Sequence, residues 1–325
     1  MNYKDIQARV RRCRLAVIGD FCLDIYWHAD MRKSELSRET PHFPLPIVQE
    51  RMSAGGAGNV VANLLALQPA SVQCIGVFGE DWRGREYRGL LQNLGADISL
   101  LLVDPRRRTD TYIKPLREGI SSVVYEDPRL DFTNYEPMAA DTEERLLAAL
   151  ESLQCEVLCV CDQMPFGCVT PAIRAKLCEL GRAGMTVIVD SRDHIGEYRD
   201  VMVKPNELEA SRTLGMDVPR DVEGLRLLAA RISRHTGRPA IVTAGERGCV
   251  TADGAETTHV PAVPVTGETD ICGAGDTFLA ALACATAAGS PLNEAAALAC
   301  CASSIVVKKI RTTGTASWAE LSDLR

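Results

Sequence analysis

Thr269-Asp270-Ile271-Cys272-Gly273-Ala274-Gly275-Asp276-Thr277-Phe278 runs directly into the apolar stretch Leu279-Ala280-Ala281-Leu282. The glycines open a helix, predicted over 274–288, and small residues let the backbone N–H groups of its first turn converge on an anion. The helix dipole adds partial positive charge where phosphate oxygens gather negative charge during transfer. Asp276 stands in that first turn. A carboxylate there can take the proton of an attacking hydroxyl, which an alcohol must lose to attack phosphorus. The same run also reads as an ordinary helix start whose aspartate caps N–H groups.

Upstream, apolar runs of strand length alternate with amphipathic stretches, the pattern of a parallel sheet covered by helices on both faces. Strands are predicted at 15–18, 72–77, 157–161, 186–189, 201–203 and 240–242, and helices at 58–67, 143–153, 171–182 and 222–235. Short strands at 248–251 and 257–260 then give way to the alanine-rich helices 274–288 and 292–308, a tight terminal layer. The fold class that follows is α/β, in one domain over residues 1–325. Two mixed segments, 25–49 and 109–126, break the rhythm with short alternating pieces such as Tyr112-Ile113-Lys114. Long excursions from a compact domain are often lids, so the two are read as one small β-structure over the site.

Composition narrows the function. The 325 residues are 46% hydrophobic and 24% charged, enough for a large core. With 43 acidic against 36 basic side chains the formal charge is −7, which argues against a nucleic-acid or anionic-membrane partner. Arg106-Arg107-Arg108, the nearest approach to a basic tract, reads as a solvated loop. Residues 1–14 are too charged for a signal peptide, and no apolar run approaches the ~20 residues of a spanning helix. The thirteen cysteines are odd in number and several lie in apolar runs, so they read as small core hydrophobes in a reducing cytoplasm. Cys155, Cys159 and Cys161 have no CxxC spacing and no nearby histidine, so no metal site is expected there.

Three further motifs carry chemistry. Ala54-Gly55-Gly56-Ala57-Gly58-Asn59 precedes a helix; its glycines permit close backbone approach, and Asn59 offers donor and acceptor to sugar hydroxyls. It lacks the lysine and serine or threonine of a Walker loop. Gly19-Asp20-Phe21-Cys22-Leu23-Asp24 follows the first strand in place of GxGxxG, which lowers a dehydrogenase reading. Asp20 and Asp24 would then lie past the carboxyl end of that strand, where two carboxylates suit polyol recognition, with a turn cap as the alternative for Asp20. In Lys204-Pro205-Asn206-Glu207-Leu208-Glu209, Asn206 and Glu209 share one face of a helix start and could hold a hydrated Mg²⁺ or the phosphate it bridges; helix capping is the other reading. Val242-Thr243-Ala244-Gly245-Glu246-Arg247-Gly248 reads as a nucleotide edge or as a hairpin turn.

In order along the chain, GDFCLD, AGGAGN, KPNELE, VTAGERG and DICGAGDTF resemble the PfkB, or ribokinase-like, sugar kinases from about Leu15 to Arg311. The resemblance implies a three-layer αβα fold with a small β lid, paired as a homodimer through the lids, and an ATP- and Mg²⁺-dependent phosphotransferase. It implies Asp276 as base, the amides of Gly273, Ala274 and Gly275 as anion hole, and Asn206 and Glu209 as the Mg²⁺ and phosphate pair. Thr243, Gly245 and Gly248 match the ATP-side loop, and Asp24, Gly55, Gly56 and Asn59 the sugar-gripping positions. Asp270 and the carbonyl of Cys272 match a monovalent cation site, hence K⁺.

Within the family, Gly19-Asp20 through Tyr26-Trp27, the Ser37, Glu39 and Pro41 run and Pro46 are most similar to the heptose 7-phosphate kinases of lipopolysaccharide core synthesis. The expected acceptor is D-glycero-D-manno-heptose 7-phosphate at its anomeric hydroxyl, with another sugar, a nucleoside, or non-catalytic binding as alternatives. Departures fall on the acceptor side. Ser34-Glu35-Leu36-Ser37-Arg38-Glu39 stands where Ser-Arg-Ile-Ser-Pro-Glu is usual, Tyr112 and Lys114 where two basic residues are, and Asp190-Ser191-Arg192 where Asp-Pro-Lys is. A substrate phosphate is expected to meet Lys114, Arg117 and Arg38 at the end of the pocket away from Asp276. A chain ending at Arg325 is expected to lack the nucleotidyltransferase fused to the larger heptose enzymes.

Overall fold

The computed structural model describes residues 2–324; Met1 and Arg325, the ends of the domain read from the sequence, lie outside the described residues. The N-terminal half runs α1 (Tyr3–Val10), β1 (Arg14–Gly19), β2 (Phe21–Asp30), β3 (Ile47–Gly56), α2 (Ala57–Ala66), β4 (Ser71–Gly79), α3 (Trp82–Leu94), β5 (Asp97–Asp104), β6 (Thr111–Glu118), β7 (Tyr125–Glu126) and β8 (Leu130–Phe132). It continues through α4 (Ala140–Glu151), β9 (Val157–Asp162), α5 (Pro171–Arg182), β10 (Thr186–Ser191), β11 (Met202–Val203), α6 (Glu207–Leu214) and α7 (Val222–Thr236). The last third holds β12 (Ala240–Thr243), β13 (Cys249–Asp253), β14 (Glu256–Val260), α8 (Ala274–Ala287), α9 (Leu292–Val306) and α10 (Trp318–Asp323).

Nine strands form one sheet in the order β14-β13-β12-β11-β10-β9-β1-β4-β5. The strands from β12 to β5 are parallel, and β13 and β14 add an antiparallel edge. A parallel sheet buried on both faces needs strands apolar throughout, and every residue of β9 is buried. Alternation sends Leu158 and Val160 to the face under α4, α5 and α7, and Val157, Cys159 and Cys161 to the face under α2, α8 and α9. Small side chains let α8 sit deep: residues 277–285 are all buried. Local signals set the helix ends. Thr170 accepts from the Ile173 N–H with Pro171 at the first position of α5, and Gly237 ends α7 in the left-handed region.

The second sheet runs β3-β2-β6-β7, with β8 on β6. It is larger than the segments 25–49 and 109–126 read from the sequence, because β2 leaves β1 with only Asp20 between them and the apolar run continues across the change of sheet. Asp24 therefore lies within the lid sheet, paired with Ser53 and Tyr112, not at the end of the main sheet. Gly55 and Gly56 likewise close β3, with Gly55 opposite Cys22. The arginine run is not a purely solvated loop. Arg106 pairs with Asp104 at 2.8 Å, and the buried Arg107 donates to the Phe166 carbonyl at 2.6 Å. Among the described residues all thirteen cysteines are free, and no helix is long and apolar enough to cross a membrane.

Candidate active site

Asp276 sits in the first turn of α8, after Gly273 at φ +79°. Only glycine fits that position, since a Cβ would also come 2.7 Å from Asn59 Nδ2. That amide is turned onto the carboxylate: Asn59 Nδ2 donates to Asp276 Oδ2 at 2.7 Å. Asn59 is 2% exposed and is held in turn by Asn63, whose Nδ2 donates to the Asn59 carbonyl at 2.9 Å while its Oδ1 accepts from the Thr277 hydroxyl at 2.8 Å. The sequence reading gave Asn59 to a sugar; the packing of α2 against α8 also sets one of its amide N–H groups on Asp276. Asn63 and Thr277 were missed, and only their one-turn spacing from Asn59 and their place beside Asp276 could have suggested them.

Burial pushes the Asp276 carboxyl up from 3.8 to about 6. The Asn59 hydrogen bond and the Lys204 charge pull it down, and Asp190 and Asp24 push it up. The anion hole read as Gly273, Ala274 and Gly275 needs one change. The Ala274 N–H closes a turn on the Ile271 carbonyl at 3.1 Å, so among the described residues the N–H groups of Gly273, Gly275 and Asp276 are those left open.

Across from α8, the lid sheet presents Asp24, 7% exposed, with Lys114 Nζ 3.7 Å from its Oδ1. Lys114 also donates to the Tyr26 hydroxyl at 3.2 Å. Burial raises the Asp24 pKa, and Lys114, Arg129 and Arg51 oppose that rise. Gly55 is required beneath it, since a Cβ there would lie 2.6 Å from Asp24 Oδ2. Lys114 thus stands beside Asp24, and its charge acts on Cys272. Arg117 is paired with Asp127 at 2.7 Å, and Arg38 lies exposed in the β2–β3 connection. Two arginines also act on Asp24: Arg51, stacked 4.0 Å over the Tyr26 ring and donating to the Arg311 carbonyl at 2.9 Å, and Arg129, stacked 4.3 Å over Tyr112 and paired with Asp131 at 2.6 Å. Sequence reading missed both, because each is contributed by a different strand or turn of the lid. Asp20 is no sugar ligand. Its buried carboxylate accepts from the N–H groups of Gln163, Met164 and Cys168, each at 2.8 Å, and braces the loop after β9.

On the other side of Asp276, Asn206 and Glu209 form a capping box on α6: Asn206 Oδ1 accepts from the Leu208 and Glu209 N–H groups at 2.9 Å, and Glu209 Oε2 from the Asn206 N–H at 2.8 Å. The capping alternative is therefore realised, with the second oxygen of Glu209 left over. Lys204, 3% exposed and unassigned in the sequence reading, pairs with Asp190 at 2.9 Å, and its charge acts on both Glu209 and Asp276. Thr243 is bridged to Asn206, which joins the VTAGERG edge to KPNELE, and Gly245 and Gly248 turn the chain at φ +53° and +80°.

The donor set fits Mg²⁺ carried by a nucleotide rather than held in a protein cage. No group of three metal-binding side chains occurs among the described residues, and Mg²⁺ keeps waters and takes one or two carboxylates plus phosphate oxygens. Asp270, read as a K⁺ ligand, has Oδ1 on the Cys272 N–H and Oδ2 on the Arg311 N–H, both at 2.9 Å, and ties the loop before α8 to the segment after α9.

Known proteins resemble this chain in sequence and in fold. Bifunctional protein HldE of Geotalea uraniireducens is 32% identical over 324 residues, covering 96% of this chain and 64% of that protein. HldE of Bradyrhizobium sp. is 30% identical over 325 residues, 97% of this chain and 64% of that one. The chain thus spans about 64% of the length of these relatives. By fold it is similar to phosphofructokinase-2 of Escherichia coli in complex with fructose-6-phosphate (TM-score 0.74, 19% identity, 96% of this chain and 98% of that one). Ribokinase of Arabidopsis thaliana complexed with ribose and ATP is a second such case (TM-score 0.69, 21% identity, 96% and 98%). A family model described as pfkB family carbohydrate kinase matches residues 14–319. With the ribokinase-like layers and a carboxylate at the glycine-rich start of α8, the chain belongs to the pfkB family of carbohydrate kinases.

Proposed function

We propose that this kinase transfers the γ-phosphoryl group of Mg·ATP to the anomeric hydroxyl of D-glycero-D-manno-heptose 7-phosphate. The observation that carries the transfer is the Asn59–Asp276 hydrogen bond at the N-terminus of α8. Asn59 occupies Oδ2 and leaves Oδ1 to take the acceptor proton, and a carboxyl raised to about 6 is a stronger base than an ordinary aspartate while still ionised at neutral pH. The N–H groups of Gly273, Gly275 and Asp276 face the charge that builds on the transferred phosphoryl group. Thr243, Gly245 and Gly248 line the nucleotide side, where Lys204 keeps its charge through Asp190. Bound Mg²⁺, reached through water from the free oxygen of Glu209, would neutralise phosphate charge.

A phosphorylated acceptor is supported by the ring of cations around Asp24 and by the HldE relatives at about 30% identity. Asp24 and the backbone of Gly55 and Gly56 hold the sugar hydroxyls, and Arg51, Lys114 and Arg129 offset the dianion. An ATP-consumption screen across heptose 7-phosphate, fructose phosphates, ribose and nucleosides tests the reading. Turnover highest on a neutral sugar or a nucleoside overturns the acceptor but not the kinase.

A second copy of the chain is the partner we propose for the lid, whose Phe43, Val123 and Ile120 are 61%, 51% and 81% exposed. A monomer in sedimentation at assay concentration overturns that pairing. The cytoplasm is the compartment this reading implies.

A further inference from the structure

Cys249 and Cys300 come from distant parts of the chain, the first residue of β13 and the third turn of α9, yet their Sγ atoms lie 3.9 Å apart. Cys249 is fully buried and Cys300 is 8% exposed. Either thiol can donate to the other across this contact. The thiolate is the form that reacts with peroxide, and Cys300 is the member of the pair nearer the surface.

Both members of the pair are linked through the chain to the phosphoryl-transfer site. Cys249 directly follows Gly248, the last glycine of the nucleotide edge. One turn beyond Cys300, Ser303 Oγ donates to the Ala274 carbonyl at 3.0 Å, and the Val307 carbonyl accepts from the Asp270 N–H at 2.8 Å. A disulfide needs about 2.05 Å between sulfurs, so the two sulfurs must close by roughly 2 Å, shared between side-chain rotation and any approach of β13 and α9 in a close-packed layer.

We propose that Cys249 and Cys300 form a reversible disulfide under peroxide, and that this bond slows phosphoryl transfer by shifting the start of α8 and the nucleotide edge. The Cys300 thiolate attacks one peroxide oxygen, giving Cys300 sulfenic acid and hydroxide. Cys249 then attacks that sulfur, forming the S–S bond and releasing water. Overall two thiols and one hydrogen peroxide give one disulfide and two waters, with two electrons passing from sulfur to oxygen.

The test treats the full-length protein with hydrogen peroxide, blocks the remaining thiols, digests it and looks for a Cys249–Cys300 linked peptide by mass spectrometry. ATP-dependent turnover is followed in parallel, before and after dithiothreitol. The expected result is the linked peptide together with a loss of about tenfold in turnover that dithiothreitol restores. Cys300→Ser should show neither, and Cys249→Ala serves in its place if Cys300→Ser melts below the wild type. Absence of the linked peptide overturns the bond. A linked peptide with unchanged turnover, or equal reversible loss in both variants, overturns the coupling to the site.

Discussion

Asn59 Nδ2 lies 2.7 Å from Asp276 Oδ2, a contact between residues 217 apart in the chain that ties the first turn of α2 to the first turn of α8. The bond favours the ionised carboxylate, so Asn59→Ala should raise the Asp276 pKa further above about 6. The acid limb of the kcat profile should move to higher pH by about one unit, with turnover at pH 7 reduced about twofold and at pH 5 about tenfold. A pH–rate profile with an unmoved acid limb would show that Asp276 is not the group titrating in turnover.

Asp276→Asn separates chemistry from stability. Turnover should fall by at least ~10³ with nucleotide affinity within a few fold, since the lost contribution is proton abstraction. The folded carboxyl is raised from 3.8 to about 6, so its stabilising protonated form is fully present below pH 3.8 and is lost as pH rises through 6. The asparagine variant should therefore be more stable than wild type at pH 8, by ~1–3 kcal/mol in urea unfolding, and gain nothing near pH 4. Near-wild-type turnover would remove Asp276 as base, and an equal gain at both pH values would remove burial of charge as the cause.

Arg129 stacks on Tyr112, pairs with Asp131 at 2.6 Å and still acts on Asp24, while Arg117 pairs with Asp127 at 2.7 Å. A charge-assisted phosphate contact contributes ~1.5–3 kcal/mol, so Arg129→Ala should raise KM for a sugar phosphate ~10-fold or more and leave that for a neutral sugar nearly unchanged. Arg51→Ala should behave alike. Arg117→Ala is the control, with both KM values within twofold of wild type. Equal KM increases for both sugars would assign Arg129 to lid structure.

Glu209 caps α6 through Oε2 and has one oxygen to spare. Glutamine preserves the capping box and removes the charge. Glu209→Gln should thus keep wild-type stability while raising the Mg²⁺ concentration for half-maximal rate ~3- to 10-fold. Mg²⁺ titrations of turnover and urea unfolding curves read the two effects separately, and an unchanged titration leaves Glu209 as a helix cap alone.

The sequence by itself determined what depends on near neighbours. Apolar runs at 157–161 and 186–189, bounded by charged residues or glycine, read as strands buried on both faces, and their alternation with helices pointed to a parallel sheet. The glycines before α8 and Asp276 in its first turn were legible because a helix start is made within a few residues. Tertiary structure alone decided the partners of the long-range polar groups. Asn59 offered the same donor and acceptor to a sugar or to a carboxylate, and the packing of α2 on α8 chose Asp276. Lys204 looked like one more lysine until β10 and β11 paired and set it on Asp190. Arg51 and Arg129 became neighbours of Asp24 only when β2, β3, β6 and β8 closed into one lid. A side chain's hydrogen-bonding capacity is written in its residue type, but which partner meets it is set by strand order and register, and these bring together segments that no local spacing connects.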